Sequence, residues 1–215
     1  MLVSSAYRYA ERDPSAPFAP WFLRYWLLEP TGPDPVDLVF PSCATTMLLL
    51  RLEAGERPVL EVLGVRDTEV TLAIGPTIRW FGLRLQFGAT RELLGVSPDV
   101  IRGTRQFADR YLGAFAHRLA GAVAEAPDLD AMQAAVEERF AKVMPRLPVP
   151  DPLVARVAQM VDDAMGERTV EEIAAEIGTA PRTVTTRFRT ATGLTLRQFA
   201  AARKRFLPVR RQALA

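Results

Sequence analysis

Hydrophobic and polar positions divide the chain into a strand-rich first part and a helical remainder. Between residues 20 and 90, short runs of β-branched, aromatic and leucine residues alternate with turn signals such as Gly75-Pro76. Runs of this kind at this spacing predict the strands of a small antiparallel sheet or barrel. The predicted strands are Arg24–Glu29, Val36–Phe40, Thr45–Glu53, Pro58–Leu63, Thr68–Ile74 and Thr77–Phe87.

A helical hairpin is predicted after the strands, because apolar residues there recur at helical spacing. The first helix carries Phe107, Tyr111, Phe115, Leu119 and Val123, and the second carries Leu129, Met132, Val136, Phe140 and Val143. The segment Ala126-Pro127-Asp128 separates them. The apolar face either packs onto the sheet or forms a dimer contact, and the pattern leaves both interpretations open.

Four prolines between residues 145 and 152 mark the clearest boundary, because proline removes backbone donors and disfavours helix in the residue before it. We therefore predict an α+β protein in three parts. Residues 1–100 form a β-rich sensor or oligomerisation domain, residues 101–144 form the hairpin, and residues 151–215 form an all-α helix-turn-helix domain.

The helix-turn-helix is predicted from its capping residues. Thr169 and Glu172 form a capping box before a helix over Val170–Ile177, and Gly178 permits the left-handed turn that follows. Pro181 then starts a helix over Arg182–Ala191, with Val184 and Phe188 facing inward. Its outward face carries arginine and threonine, which suit contacts to phosphates and bases.

Charge strengthens this interpretation. The net charge is only +2, yet from Ile177 onward there are nine basic residues and no acidic one. They are Arg182, Arg187, Arg189, Arg197, Arg203, Lys204, Arg205, Arg210 and Arg211. Such a segment favours a polyanionic partner, although a solvated basic surface has the same composition.

The stretch TVEEIAAEIGTAPRTVTTRFRTATGLTLRQFAAARKRF resembles the first helix-turn-helix of the AraC/XylS family of regulators. Ile173-Ala174, Gly178, Val184, Arg187-Phe188-Arg189 and Gly193-Leu194-Thr195 carry the resemblance. It implies a bacterial transcriptional regulator that binds double-stranded DNA. By the same resemblance, Arg182, Thr185 and Thr186 would contact bases. The residues expected to contact phosphates are Thr183, Arg187, Arg189, Arg197, Arg203 and Lys204.

Members of that family carry two helix-turn-helix units joined by a long helix. Here Leu196–Phe206 is expected to be that joining helix, and Pro208 is expected to interrupt it. A single unit should bind DNA weakly unless a homodimer covers two half-sites. The alternative is a shortened, non-DNA-binding paralogue that regulates through protein contacts.

Other functions find little support in the residues. Catalytic and phosphate-loop motifs are absent, so we expect no enzyme, cofactor or metal site. Cys43 and His117 are the only thiol and imidazole, and we expect Cys43 to be a small buried or half-buried residue. Trp21, Trp26 and Trp80 are candidates for the pocket of a small-molecule effector. With no apolar run of about 18 residues and no secretory signal, we expect a cytoplasmic protein without a membrane partner.

Overall fold

The computed structural model describes Leu2–Val3 and residues 7–214, with side chains described for residues 7–210. The strands are β1 (Leu2–Val3), β2 (Tyr7–Arg12), β3 (Phe22–Pro30), β4 (Val36–Phe40), β5 (Met47–Glu53), β6 (Val59–Leu63), β7 (Val70–Ile74), β8 (Ile78–Leu85) and β9 (Arg105–Phe107). The helices are α1 (Thr90–Leu94), α2 (Pro98–Ile101), α3 (Asp109–Leu112), α4 (Ala114–Ala124), α5 (Leu129–Ala141), α6 (Pro152–Asp163), α7 (Val170–Ile177), α8 (Pro181–Thr192) and α9 (Leu196–Leu214).

The strands form two antiparallel sheets, so the protein is of mixed α+β class. The larger sheet has seven strands in the order β1-β2-β3-β8-β5-β6-β9, and β4 pairs with β7 in the smaller one. All six predicted strands are present, with ends shifted by two residues or fewer. Strands β1, β2 and β9 were not predicted, because β2 is largely polar while β1 and β9 have only two and three residues.

Both faces of the larger sheet are covered, which follows from the alternation of side chains along its central strands. On β3, Tyr25 and Leu27 belong to a core with α4 and α5, whereas Trp26 and Leu28 belong to a core with the β4–β7 pair. Gly82 on the neighbouring strand makes room for Trp26. A Cβ atom there would lie only 2.0 Å from the indole.

Helices α4 and α5 form the predicted hairpin, and it packs onto the sheet through Leu119, Val123, Met132, Val136 and Phe140. The prediction of one continuous helix from Phe107 to Val123 is wrong. Phe107 is an exposed residue of β9, and Gly113 separates α3 from α4 at a positive φ of 53°. Helical spacing of apolar residues does not reveal such a break. A hairpin contact between two copies of the chain stays a prediction.

Helices α6 to α9 pack around Val157, Ile173, Phe188 and Phe199. The same core includes residues of the β-rich part, notably Phe87, whose ring packs edge-on against Phe199 with centroids 5.0 Å apart. Residues 147–151 between the two parts have no regular structure. The division into domains stays a prediction, but the C-terminal helices share a core with the β-rich part.

Helix α9 continues through Pro208, contrary to the expectation that proline would interrupt it. Phe206 and Leu207 are buried just before the proline, and Arg210 forms an ion pair with Glu11 just after it. These contacts hold the helix across the one backbone hydrogen bond that proline removes. Neither α9 nor any other described helix is long and apolar enough to cross a membrane.

Candidate nucleic-acid interface

Helix α7 has the bounds and caps that the sequence predicts, and α8 is one residue longer at each end than predicted. The Thr169 hydroxyl accepts a hydrogen bond from the Glu172 amide at 3.2 Å, and the Glu172 carboxylate accepts one from the Thr169 amide at 2.8 Å. Gly178 ends α7 with a φ of 76°, in the left-handed region where glycine carries no steric cost. Three residues later, Pro181 starts α8. Local interactions therefore determine this turn.

The solvent face of α8 is a strip of arginine and threonine. Arg182, Thr186 and Arg189 share one side of the helix, because residues four and three positions apart lie above one another. All three are exposed, while Val184 and Phe188 on the opposite side are fully buried. Thr183 and Thr190 are exposed on the same strip. Thr190 was missed because it is not among the contact residues that the resemblance implies.

Two of the predicted contact residues, at the edges of this strip, already make hydrogen bonds within the protein. The Thr185 hydroxyl donates to the carbonyls of Pro181 and Arg182 at 3.1 and 3.0 Å. Arg187 donates two hydrogen bonds to the Asp151 carboxylate, at 2.8 and 2.6 Å, and so joins α8 to the start of α6. Each must leave or share these partners to contact DNA.

Arg203 is not available to a phosphate, which corrects the expectation from the sequence. Its side chain is only 5% exposed and donates to Asp162 at 2.7 and 2.5 Å and to the carbonyl of Cys43 at 2.9 Å. Its guanidinium also lies over the Phe206 ring, 4.8 Å from the centroid. Arg203 therefore holds α9 against α6 and the β-rich part.

The other basic residues of the C-terminal segment divide into paired and unpaired groups. Lys204 forms an exposed ion pair with Glu167, and Arg205 donates to the carbonyl of Asp67 at 2.8 Å. Arg182, Arg189 and Arg197 are exposed, and their side chains have no ion pair or hydrogen bond with any described residue. The Arg211 side chain lies outside the described residues. Much of the charge that the sequence shows as a basic tail is thus used inside the molecule.

Helix α8 is supported from behind by α1 and α2 as well as by α6 and α7. Glu92 on α1 is half-buried, and its Oε2 atom has no hydrogen-bond partner among the described residues. Burial raises the pKa of Glu92, and the charge of Asp151 adds to the rise. The site that supports α8 therefore disfavours the ionised carboxylate.

Replacement of Glu92 by glutamine should stabilise the protein at pH 7.5. Because the pKa of Glu92 is raised in the folded state, the ionised carboxylate lowers the free energy of unfolding of the wild type above that pKa. This loss of stability disappears as the pH falls toward about 4.3, the ordinary pKa of glutamate. The advantage of Glu92→Gln over the wild type should therefore shrink as the pH falls from 7.5 toward about 4.3, measured by thermal unfolding. Glu125→Gln, at an exposed position, is the control. An advantage that does not change with pH would contradict the prediction.

The three tryptophans do not form one pocket. Trp26 and Trp80 are buried in the core under the smaller sheet, and the Trp80 indole donates to the carbonyl of Ala73 at 2.9 Å. Trp21 packs against the core on the opposite face of the larger sheet. Trp26 does line a cavity of about 40 Å³, but a dry cavity that takes benzene has about 150 Å³. This corrects the predicted pocket.

Cys43 is buried against Phe206 and Leu207, as the sequence predicts, while His117 is exposed on α4. The two side chains belong to different parts of the molecule and do not form a pair. Among the described residues, no group of three or more histidine, cysteine, aspartate or glutamate side chains is arranged to hold a metal ion.

A buried polar network that sequence reasoning missed joins β2, β3, β8 and α9. Arg84 donates to Glu11 at 2.6 Å and to the Tyr9 hydroxyl at 2.9 Å, and that hydroxyl donates to Glu11 at 2.5 Å. Burial alone would raise the pKa of Glu11, but Arg84, the Tyr9 hydroxyl and Arg210 lower it overall. The available signal was a single arginine in the otherwise apolar run from Trp80 to Leu85.

Comparison of the chain with protein-family models, with curated proteins and with solved structures finds no match. The case for function therefore depends on the residues themselves.

Proposed function

We propose that the protein is a DNA-binding transcriptional regulator that places the exposed face of α8 in the major groove. In this proposal α7 and α8 act as a helix-turn-helix, and Arg182 and Thr186 contact base edges. Arg189 and Arg197 contact phosphates. Arginine pairs bidentately with guanine, and threonine contacts the thymine methyl group or a phosphate oxygen.

The observation that carries the proposal is the unpaired arginine and threonine face of α8 on a rigid support. Arg182, Thr186 and Arg189 are exposed together, and α8 has no acidic residue. The helix is anchored by Val184 and Phe188, which are 0% exposed. A recognition helix needs such anchoring because base contacts depend on its position in the groove.

A second candidate function is regulation through protein contacts without DNA binding. Helix α7 exposes Glu171, Glu172 and Glu176, which would repel phosphates if α7 crosses the DNA backbone. Arg168 pairs with Glu176 at 2.5 Å and reduces this repulsion. The two candidates differ in whether the α8 face determines affinity for DNA, which can be measured.

Replacement of Arg182 by alanine should weaken binding to the specific site by about tenfold to a hundredfold, because one bidentate base contact contributes about 1–3 kcal/mol of discrimination. Replacement of Arg189 by alanine should weaken specific and non-specific binding alike. It should also reduce the slope of log K against log salt concentration by about one. Mobility-shift titrations on the DNA upstream of the gene, at two salt concentrations, measure both effects.

The matched control is Arg118→Ala, an exposed arginine on α4 away from α8. Equal DNA binding by Arg182→Ala, Arg118→Ala and the wild type would remove α8 as the contact surface. Absence of any salt-sensitive shift would favour the protein-contact alternative.

A further inference from the structure

A polar pocket of about 370 Å³ lies where β3 and β8 meet α6 and α9. That volume is within the range of small-molecule sites. Four arginines line it, one or more from each of β3, β8 and α9: Arg24, Arg84, Arg203 and Arg210. Neither the DNA-binding proposal nor the predicted tryptophan pocket uses these residues.

Arg203 is satisfied by Asp162 and Cys43, but the other three arginines converge on one buried carboxylate, that of Glu11. Arg84 donates to its Oε1 atom at 2.6 Å, and Arg210 donates to its Oε2 atom at 2.9 Å. Arg24 lies 3.9 Å from Oε2, too far for a hydrogen bond, and pairs with the exposed Asp13 instead. Inside the pocket, three guanidinium groups therefore share one carboxylate.

Several of their donors have no partner among the described residues. The Arg84 side chain is only 8% exposed, and its buried Nε atom has no hydrogen-bond partner. Arg210 uses only Nε, which leaves both terminal nitrogens of a 25% exposed side chain. A buried donor without a partner is destabilising, so the pocket is suited to a ligand that supplies acceptors.

The electrostatics of the pocket agree. Burial lowers the pKa of Arg24 and the nearby charge of Arg210 lowers it further, against the opposing effects of Asp13 and Glu11. Asp162 is neutralised by Arg203. Asp163, the remaining carboxylate of the lining, is exposed and accepts a hydrogen bond from Gln159 at 2.6 Å. Cations dominate the inner side of the pocket, and its one carboxylate without an ion pair, that of Asp163, faces solvent.

We propose that this pocket binds a small molecule through a carboxylate or phosphate group, which accepts hydrogen bonds from Arg24 and Arg210 beside the buried Arg84. Planar guanidinium groups suit both oxyanions, because each can donate two parallel hydrogen bonds. The ligand would join the β-rich part to α6 and α9, the helices that flank α8. The site does not rest on the proposed function, since no DNA takes part in it.

Thermal unfolding in the presence of two probes, inorganic phosphate and succinate, tests the site. Each is titrated in a separate series, with ionic strength held constant by sodium chloride. A ligand that binds only the folded state raises the Tm in proportion to the logarithm of its concentration once that concentration exceeds the Kd. The wild type should show such a rise with at least one probe. Arg210→Gln should need about tenfold more of that probe for the same rise in Tm, since the variant loses a charge-assisted hydrogen bond.

Arg118→Gln, at an exposed position on α4, is the matched control and should behave as the wild type. It also corrects for the general stabilisation by phosphate, which does not depend on a site. A response to phosphate alone identifies a phosphate group, a response to succinate alone identifies a carboxylate, and either supports the site. If Arg210→Gln does not fold, Arg24→Gln replaces it. No logarithmic rise with either probe, or the same probe concentration for an equal rise in the variant and the control, would overturn the proposal.

Discussion

Replacement of Arg203 by alanine is expected to lower the free energy of unfolding by about 3–5 kcal/mol, because removing one partner of a buried ion pair leaves the other uncompensated. The side chain is 5% exposed, and all three guanidinium nitrogens are occupied. Its loss would leave the Asp162 carboxylate and the carbonyl of Cys43 without the hydrogen bonds that Arg203 donates. It would also remove the cation that lies over Phe206 and Phe199.

Urea unfolding measures this loss, and Arg197→Ala on the same helix is the control. Arg197 is exposed, so its replacement should change the free energy of unfolding by about 0.5 kcal/mol or less. The double variant Arg203→Ala/Asp162→Ala should be less destabilised than the sum of the single variants, because it removes the stranded charge. Equal effects of Arg203→Ala and Arg197→Ala would show that the pair does not hold α9 in place.

Replacement of Phe188 by alanine is expected to lower the free energy of unfolding by a similar amount, about 3–5 kcal/mol. Phe188 is 0% exposed, and its ring packs edge-on against Phe199 with centroids 5.0 Å apart. The loss includes the transfer of the ring from water and the cavity that remains among α6, α7 and α9. Since Phe188 anchors α8, the variant should also lose DNA binding if α8 is the contact surface.

Thr186→Ala is the matched control, two residues away on the exposed face of the same helix. It should change the free energy of unfolding by about 0.5 kcal/mol or less, yet reduce DNA binding. A loss of stability below about 1 kcal/mol in Phe188→Ala would mean that α8 is not packed as described. Thr186→Ala thus separates a loss of contacts with DNA from a loss of DNA binding that is caused by unfolding.

The elements that the sequence predicted well are those whose causes lie within a few residues. The capping box of Thr169 and Glu172, the left-handed turn at Gly178 and the start of α8 at Pro181 all involve neighbours along the chain. The six predicted strands likewise follow from local patterns of apolar residues. Where a local signal was weak, as in the three-residue β9, or misleading, as in the helical spacing across Gly113, the prediction missed or was wrong.

The roles of charged residues were predicted less well, because they depend on partners far away along the chain. Arg203 belongs to a basic segment without acidic neighbours, and the sequence therefore favours a phosphate contact. In the fold it meets the carbonyl of Cys43, 160 positions earlier, and Arg210 meets Glu11. The three tryptophans failed as a pocket for a similar reason, since the sheet places Trp26 and Trp21 on opposite faces.

The sequence by itself determined the α+β class, the bounds and caps of α7, the position of α8 to within one residue at each end, and the outward arginine and threonine face of α8. Each depends on helical or strand periodicity and on short-range hydrogen bonds. Only the tertiary structure decided which cations remain free to meet a polyanion, and that Arg24, Arg84 and Arg210 share Glu11. The physical reason is that charge pairing acts through space. Segments that are distant in sequence supply the counter-charges only once the sheet and the helices are packed together.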